Sequence, residues 1–268
     1  MQERLIQLLE AIAGAPAPVS VRDLTGITGL PKATIYRNVA SLVECGFLDE
    51  VDGGSRYMLG IRFVRIALTG KSDSHVIRAV SALMQRTVED LGETAFFARY
   101  RAGRVDIVAV ETPSDPAISY IHPGLGPRPV HACSSAKAIA AYISDDMRAE
   151  MLDARPIRFN PETITDPNLL ERELNQVRRD GYAMCRGEID EGVTSVAVPV
   201  HVERLGAVFS IGVVGPSARV TQSISNPILP VLTAQALRAS AALQHCSVLD
   251  AAPDFPEVMV PAEGAPLP

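Results

Sequence analysis

The chain has few of the residues that build metal centres or disulfide frameworks. Its four cysteines (Cys45, Cys133, Cys185, Cys246) are far apart and form no CxxC pair. A chain of 268 residues needs no disulfides to hold a core, so reduced thiols are expected. The five histidines (His75, His122, His131, His201, His245) are scattered, with no HxxxH and no neighbouring Cys/His set, which argues against zinc. No metal and no cofactor is therefore expected. No apolar run approaches about 18 residues. The first helix candidate carries Glu3, Arg4 and Glu10 among its apolar residues, unlike a secretory signal. The expected address is the cytoplasm, with no membrane partner. No tract is biased enough to suggest wholesale disorder or collagen-like repeats.

What is present fits a folded, soluble protein: 47% apolar and 21% charged residues, close to the globular average. The length suits one large domain or two of roughly 100 to 200 residues. The net charge of −6, from 25 basic and 31 acidic side chains, excludes a coat of basic charge over the whole molecule. Its distribution is uneven. Residues 1–70 carry seven basic and seven acidic side chains, so residues 71–268 hold the whole deficit, 18 against 24.

Residues 4–13 (RLIQLLEAIA) place Leu5, Leu8, Leu9 and Ile12 at helical spacing, the pattern of an amphipathic helix. Gly14 to Pro18 breaks it, and Ser20 is a candidate N-cap for a short helix over 21–28. Gly29-Leu30-Pro31 forces a turn into a third helix. There Ile35, Val39, Leu42 and Val43 share one face, while Ala33, Thr34, Arg37, Ala40 and Ser41 lie roughly opposite, up to the terminating Gly46. Residues 47–51 and 56–59, around Asp52-Gly53-Gly54-Ser55, read as strand–turn–strand. Three helices followed by a hairpin is the order of a winged helix–turn–helix, whose third helix enters the major groove. The candidate DNA contacts are Lys32, Thr34, Tyr36, Arg37 and Ser41 on the helix and Arg56 on the wing. The alternative is a winged-helix module that contacts protein and has no DNA affinity.

Residues 60–70 (GIRFVRIALTG) read as a connecting helix between glycines. From Ser74 a longer amphipathic helix is expected, closed by Gly92. TAFFARYRAGRVDIVAVET and VTSVAVPVHVERLGAVFSIGVVG each read as two strands, with helices expected at 134–143, 145–152 and 168–181 and a last one over 221–245. Strands, helices and strands in that order give an α+β class. The strand 207–214 is apolar on both faces, as a central strand covered on both sides would be. The expected domains are a winged helix–turn–helix over 1–59, a linker helix over 60–73 and an α+β domain over 74–250. Residues 251–268, with five prolines, are expected to form a disordered tail.

The segment Pro127 to Ala140 runs from a proline-stiffened loop into a helix. Ser134 and Ser135 fall where first-turn N–H groups lack partners, so they either hold a small anion or cap their own helix. Ser134-x-x-Lys137 also matches the SxxK pattern of serine acyl-transfer enzymes. That reading lacks the Lys-Thr-Gly, Ser-Asp-Asn and Gly-x-Ser-x-Gly partners, and the chain is not expected to be an enzyme. The acidic run Glu188, Asp190, Glu191 is expected to be a solvated loop.

Taken together, GLPKATIYRNVASLVECGFLDE with GGSRYMLG, then PVHACSSAKAIAA, then LERELNQVRRDGYA, EGVTSVAVPV and VVGPSARV resemble the IclR family of bacterial transcriptional regulators, from about residue 2 to residue 245. The resemblance implies a GAF-like effector domain with an antiparallel sheet and flanking helices, in a homodimer or homotetramer that binds a double-stranded operator. It implies a small carboxylic acid as effector, its carboxylate on the N–H groups of Ser134 and Ser135. Walls would come from Ala117, Tyr120, Cys185, Ser195, Gly212 and Val214, with Cys133 and Ser210 nearby. The family often has glycine where this chain has Ser134 or Ala136. Cys185 and Val214 stand where some members are polar, which favours an aromatic or apolar-tailed acid.

Overall fold

The computed structural model describes residues 2–70, 72–115, 121–152 and 155–245. The chain opens with α1 (Gln2–Ala13), β1 (Val19–Ser20), α2 (Val21–Thr28), α3 (Lys32–Glu44), β2 (Leu48–Val51), a single 3₁₀ turn over Asp52–Gly54 and β3 (Arg56–Leu59). Helix α2 starts where a capping box can satisfy its free donors: Ser20 Oγ accepts from Asp23 N, and the Asp23 carboxylate accepts from Ser20 N. It ends on Gly29 in the left-handed region, φ 68°. Leu8, Leu24, Ile35, Val39, Leu48 and Tyr57 are buried in one small core. The three strands pair antiparallel in the order β1-β3-β2; β1, two residues long, is too short for an alternation signal to reveal.

Helix α4 (Ile61–Thr69) leads out of this unit to α5 (Asp73–Leu91). Gly60 sits at the exit because a Cβ there would lie 2.3 Å from the Gly46 carbonyl oxygen, so only glycine permits the approach. Arg62 then donates to the Cys45 carbonyl at 3.0 Å, and Phe63 meets Phe47 edge to face at 5.8 Å.

The second unit is a six-stranded antiparallel sheet in the order β6-β5-β4-β9-β8-β7. Its strands are β4 (Thr94–Arg101), β5 (Arg104–Glu111), β6 (Gly126–Arg128), β7 (Ala183–Arg186), β8 (Val193–Val202) and β9 (Gly206–Pro216). Its other helices are α6 (Ser134–Ala140), α7 (Asp145–Leu152), α8 (Pro167–Asp180), α9 (Ser217–Ser223) and α10 (Leu229–His245). Helices α5 and α10 pack on each other and on the sheet, and α6 packs on β8 and β9. Residues 207–215 of β9 are buried without interruption, as a strand covered on both faces must be. The class is α+β.

Three sequence expectations change. Strands β6 and β7, three and four residues long, lie at the two sheet edges: β6 falls in the expected proline-stiffened loop, and β7 is a strand that the pattern does not show. The single helix expected over 221–245 is two helices separated by Ile224–Ile228, with Asn226 extended at φ −163°. Pro227 forces this, since it lacks an N–H and drives the preceding residue out of helical space. The helix expected over 134–143 ends as α-helix at Ala140. The tail expected over 251–268 lies outside the described residues.

The turn between β8 and β9 reaches the first unit: Arg204 donates to the Leu59 carbonyl and to the Asp49 carboxylate. The small core of the first unit makes it sensitive to single deletions. Leu24→Ala, at a site with no exposure, is expected to destabilise this unit by about 2–5 kcal/mol, measured by chemical denaturation. The sheet domain is expected to keep its own transition.

Candidate functional site

Helix α3 follows from its residue spacing. Ile35, Asn38, Val39 and Leu42 are buried against the core, which turns Lys32, Tyr36, Arg37, Ala40 and Ser41 outward; all of these are exposed, and Thr34 is half-buried. Pro31 caps the helix in an extended conformation, ψ 139°. Tyr36, 58% exposed, presents much of its side chain to solvent. On the wing, Arg56 donates to the Pro18 carbonyl at 2.8 Å and lies 3.8 Å from the Asp52 carboxylate. The six candidate DNA contacts therefore lie on one polar face and its flanking hairpin. A recognition helix with a half-exposed wing uses this arrangement to reach base edges and phosphates.

In the second unit a cavity of about 150 Å³ opens between the sheet and the start of α6. Cys133, Ser134 and Ser135 line it from the loop–helix junction, Cys185 from β7, Ser195 from β8 and Val214 from β9. The register explains the convergence: Ser195 lies opposite both Cys185 and Val214, so the three side chains share one face of the sheet. Ser134 Oγ and Ser195 Oγ are hydrogen-bonded at 2.7 Å. Ser210 is buried behind this row and donates to the Ser135 carbonyl at 3.0 Å. Gly212 faces Phe96, whose ring would lie 2.4 Å from a Cβ at that position; Phe96 takes the place on the wall that Gly212 leaves open. Ala117 and Tyr120 lie outside the described residues.

The wall contains groups that spacing did not single out. Ile107, Ile121, Ile189 and Val193 add apolar surface, while His122, Arg128 and Asp190 add polar groups. Burial pushes the Cys133 thiol up to about 12 and raises Cys185 as well. Both are neutral thiols at physiological pH, small apolar wall residues and not nucleophiles.

Lys137 lies one helical turn below Ser134, and its side chain is wholly buried. Its Nζ donates to both Glu188 oxygens, at 2.7 and 2.8 Å, and to the Met184 carbonyl at 3.3 Å, with Glu173 at 3.6 Å. These three acceptors take up the donors of the amine, and the acyl-transfer alternative loses its base. This geometry also corrects the solvated reading of the acidic run. Asp190 and Glu191 are exposed, but Glu188 is buried, because a fully buried ammonium requires a charge partner. Thr163 Oγ1 donates to the Glu188 carbonyl at 2.6 Å, and Asn160 Nδ2 to the Gly187 carbonyl at 2.6 Å, so the loop is tied down from two sides.

Family comparison agrees with both halves. Residues 3–52 match the IclR helix-turn-helix domain and residues 71–241 the bacterial transcriptional regulator IclR C-terminal domain. The chain belongs to the IclR family of bacterial transcriptional regulators. It is 28% identical to the glycerol operon regulatory protein of Streptomyces coelicolor, over 81% of this chain and 85% of that protein. It is 22% identical to the transcriptional repressor IclR of Escherichia coli, over 81% and 80%. Among solved structures it resembles a putative IclR regulator from Silicibacter (26% identity, TM-score 0.59, 90% of this chain and 95% of that one). It also resembles an IclR homologue from Microbacterium hydrocarbonoxydans complexed with 4-hydroxybenzoate (26%, TM-score 0.55, 91% and 98%). These relatives are named as regulators, not enzymes. Among the described residues no helix is long and apolar enough to cross a membrane.

Two outcomes follow from the buried groups. Glu188→Ala, which strands the Lys137 charge, is expected to cost about 3–5 kcal/mol in denaturation. For the thiols, the folded protein holds the Cys133 proton up to about pH 12, while the unfolded chain releases it from about pH 9. The native state then binds more protons than the unfolded state, so stability is expected to fall as pH rises between those values. Cys133→Ser is expected to flatten that slope in thermal melts.

Proposed function

We propose that the chain is a DNA-binding transcriptional regulator whose operator affinity is set by a small organic acid in the cavity. The proposed organisation is a DNA-binding head over 1–59, a connector over 60–73 and an effector domain over 74–250, working as a homodimer or homotetramer on double-stranded DNA. The reading rests above all on one observation: a chain with a solvent-facing α3 also carries a mostly apolar cavity lined at one end by Ser134, Ser135 and Ser195. A cavity near 150 Å³ has the size that accommodates benzene in an engineered protein core, so one aromatic ring fits it. The relative bound to 4-hydroxybenzoate makes an aromatic acid the first compound class to try.

The mechanism is a population shift. Ligand in the effector domain favours one spacing of two heads over another, and spacing decides whether both half-sites are engaged. Either direction of control, repression or activation, satisfies this scheme. The test is a titration of the intergenic DNA beside the gene at two salt concentrations, with and without aromatic and aliphatic carboxylic acids. Specific, salt-sensitive binding that one acid changes is expected; DNA binding that no acid alters leaves the effector half of the reading without support. In the same assay Arg37→Ala is expected to cost about 1–3 kcal/mol and to relax specificity at one base pair. Lys32→Ala is expected to weaken all sequences alike and to lower the salt slope by about one. An unchanged affinity in Arg37→Ala would favour the interaction-module reading.

A further inference from the structure

Among the described residues that line the cavity beside Ser134, Arg128 is the one arginine or lysine, and it makes no ion pair with a described carboxylate. Arg128 is the last residue of β6. Its Nη2 donates to the carbonyls of Pro123 and Gly124, which fixes the plane of the guanidinium. Its Nε is buried and has no hydrogen-bond partner among the described residues, an expensive state for a charged donor. The other charged wall residue, Asp190, is exposed. The nearby ammonium of Lys137 is satisfied by Glu188 from beneath. A guanidinium held by two carbonyls, on the same wall as the hydroxyls of Ser134 and Ser195, is a site for a planar anion.

We infer that Arg128 is the charge-selecting residue of this cavity, pairing with the carboxylate of an acid whose body is no larger than about one ring. The inference rests on the small-acid reading above and adds which side chain recognises the acid as an anion. The same guanidinium borders a second cavity of about 300 Å³, lined by Met151, Ile164 and Leu170 among others. The smaller cavity is the assigned one, because it also supplies the Ser134 and Ser195 hydroxyls.

The experiment is calorimetric titration of the full-length protein with benzoate, 4-hydroxybenzoate and succinate, each beside its neutral carboxamide. For the acids that bind, the wild type is expected to prefer acid over amide by at least about tenfold, the scale of one charge-assisted contact. Arg128→Gln is expected to bring that ratio close to one, and Arg128→Lys to restore part of it. If Arg128 serves only to staple the 121–125 loop, acid and amide weaken together and the ratio stays, which overturns the inference. Ser195→Leu, checked by its melting temperature, projects into the smaller cavity alone and is expected to weaken acid and amide alike. Unchanged binding in that variant would place the ligand in the larger cavity and overturn the assignment. If no acid binds the wild type, the small-acid reading itself fails and the inference with it. Acid binding that ignores Arg128 removes the inference alone.

Discussion

The effector domain is organised around the Lys137–Glu188 pair. A fully buried ammonium is tolerated only where carboxylate and carbonyl oxygens surround it, and here those oxygens come from β7 and the loop that follows it, with Glu173 of α8 at 3.6 Å. Helix α6 therefore keeps its place only while residues 184–188 fold beneath it, and that segment holds its course only while α6 supplies the charge. The consequence reaches the cavity directly. Ser134 and Ser135 lie one turn above Lys137, whereas Cys185 and Ile189 flank Glu188, so the same ion pair fixes both sides of the wall. The contacts from Asn160 and Thr163 hold the outer side of the loop without burying further charge.

Local chemistry made the winged helix legible. Ser20 with Asp23, the Gly29 stop, the polar face of α3 and the Asp52–Ser55 turn all act within a few residues, so spacing alone exposes them. Local pattern made the cavity legible only at the loop-to-helix transition, Cys133 to Ser135, while Cys185, Ser195 and Val214 came from the family resemblance. Lys137 and Glu188 are 51 residues apart, and neither helical period nor composition reveals that they meet; each alone resembles a catalytic or a solvated residue. Arg128 escaped for a related reason. It lies in a three-residue edge strand with prolines on either side, too short to show alternation, and only the packing of residues 121–124 against it turns its guanidinium toward the wall. Ser210 and Gly212 show what register leaves out. They lie on the strand face that builds the cavity, but Ser135 and Phe96 cover them, and cover is a property of packing rather than of register.

Two routes join the cavity to the head. One is covalent, through α4 and the tight passage at Gly60. The other runs along β8 and β9, which carry Ser195 and Val214 at one end and the Arg204 turn at the other, where the guanidinium holds the Asp49 carboxylate and the Leu59 carbonyl. Leu59 is the last residue of the wing and immediately precedes Gly60, so both routes converge on one point at the root of the hairpin. Strands β8 and β9 are paired along almost their whole length, and close-packed interiors transmit displacement instead of absorbing it. Even so, stiffness alone moves nothing. A ligand shifts the head only by the difference in its affinity for two arrangements, about 1.4 kcal/mol for each tenfold. The groups able to supply that difference are those whose position depends on the β8–β9 pair, and Ser195, bonded to Ser134 across the cavity, is one of them. A ligand that touches only the loop side of the wall has no such lever. A ligand that reaches Ser195 does, because its contact there and the Arg204 contact are made by the same two strands.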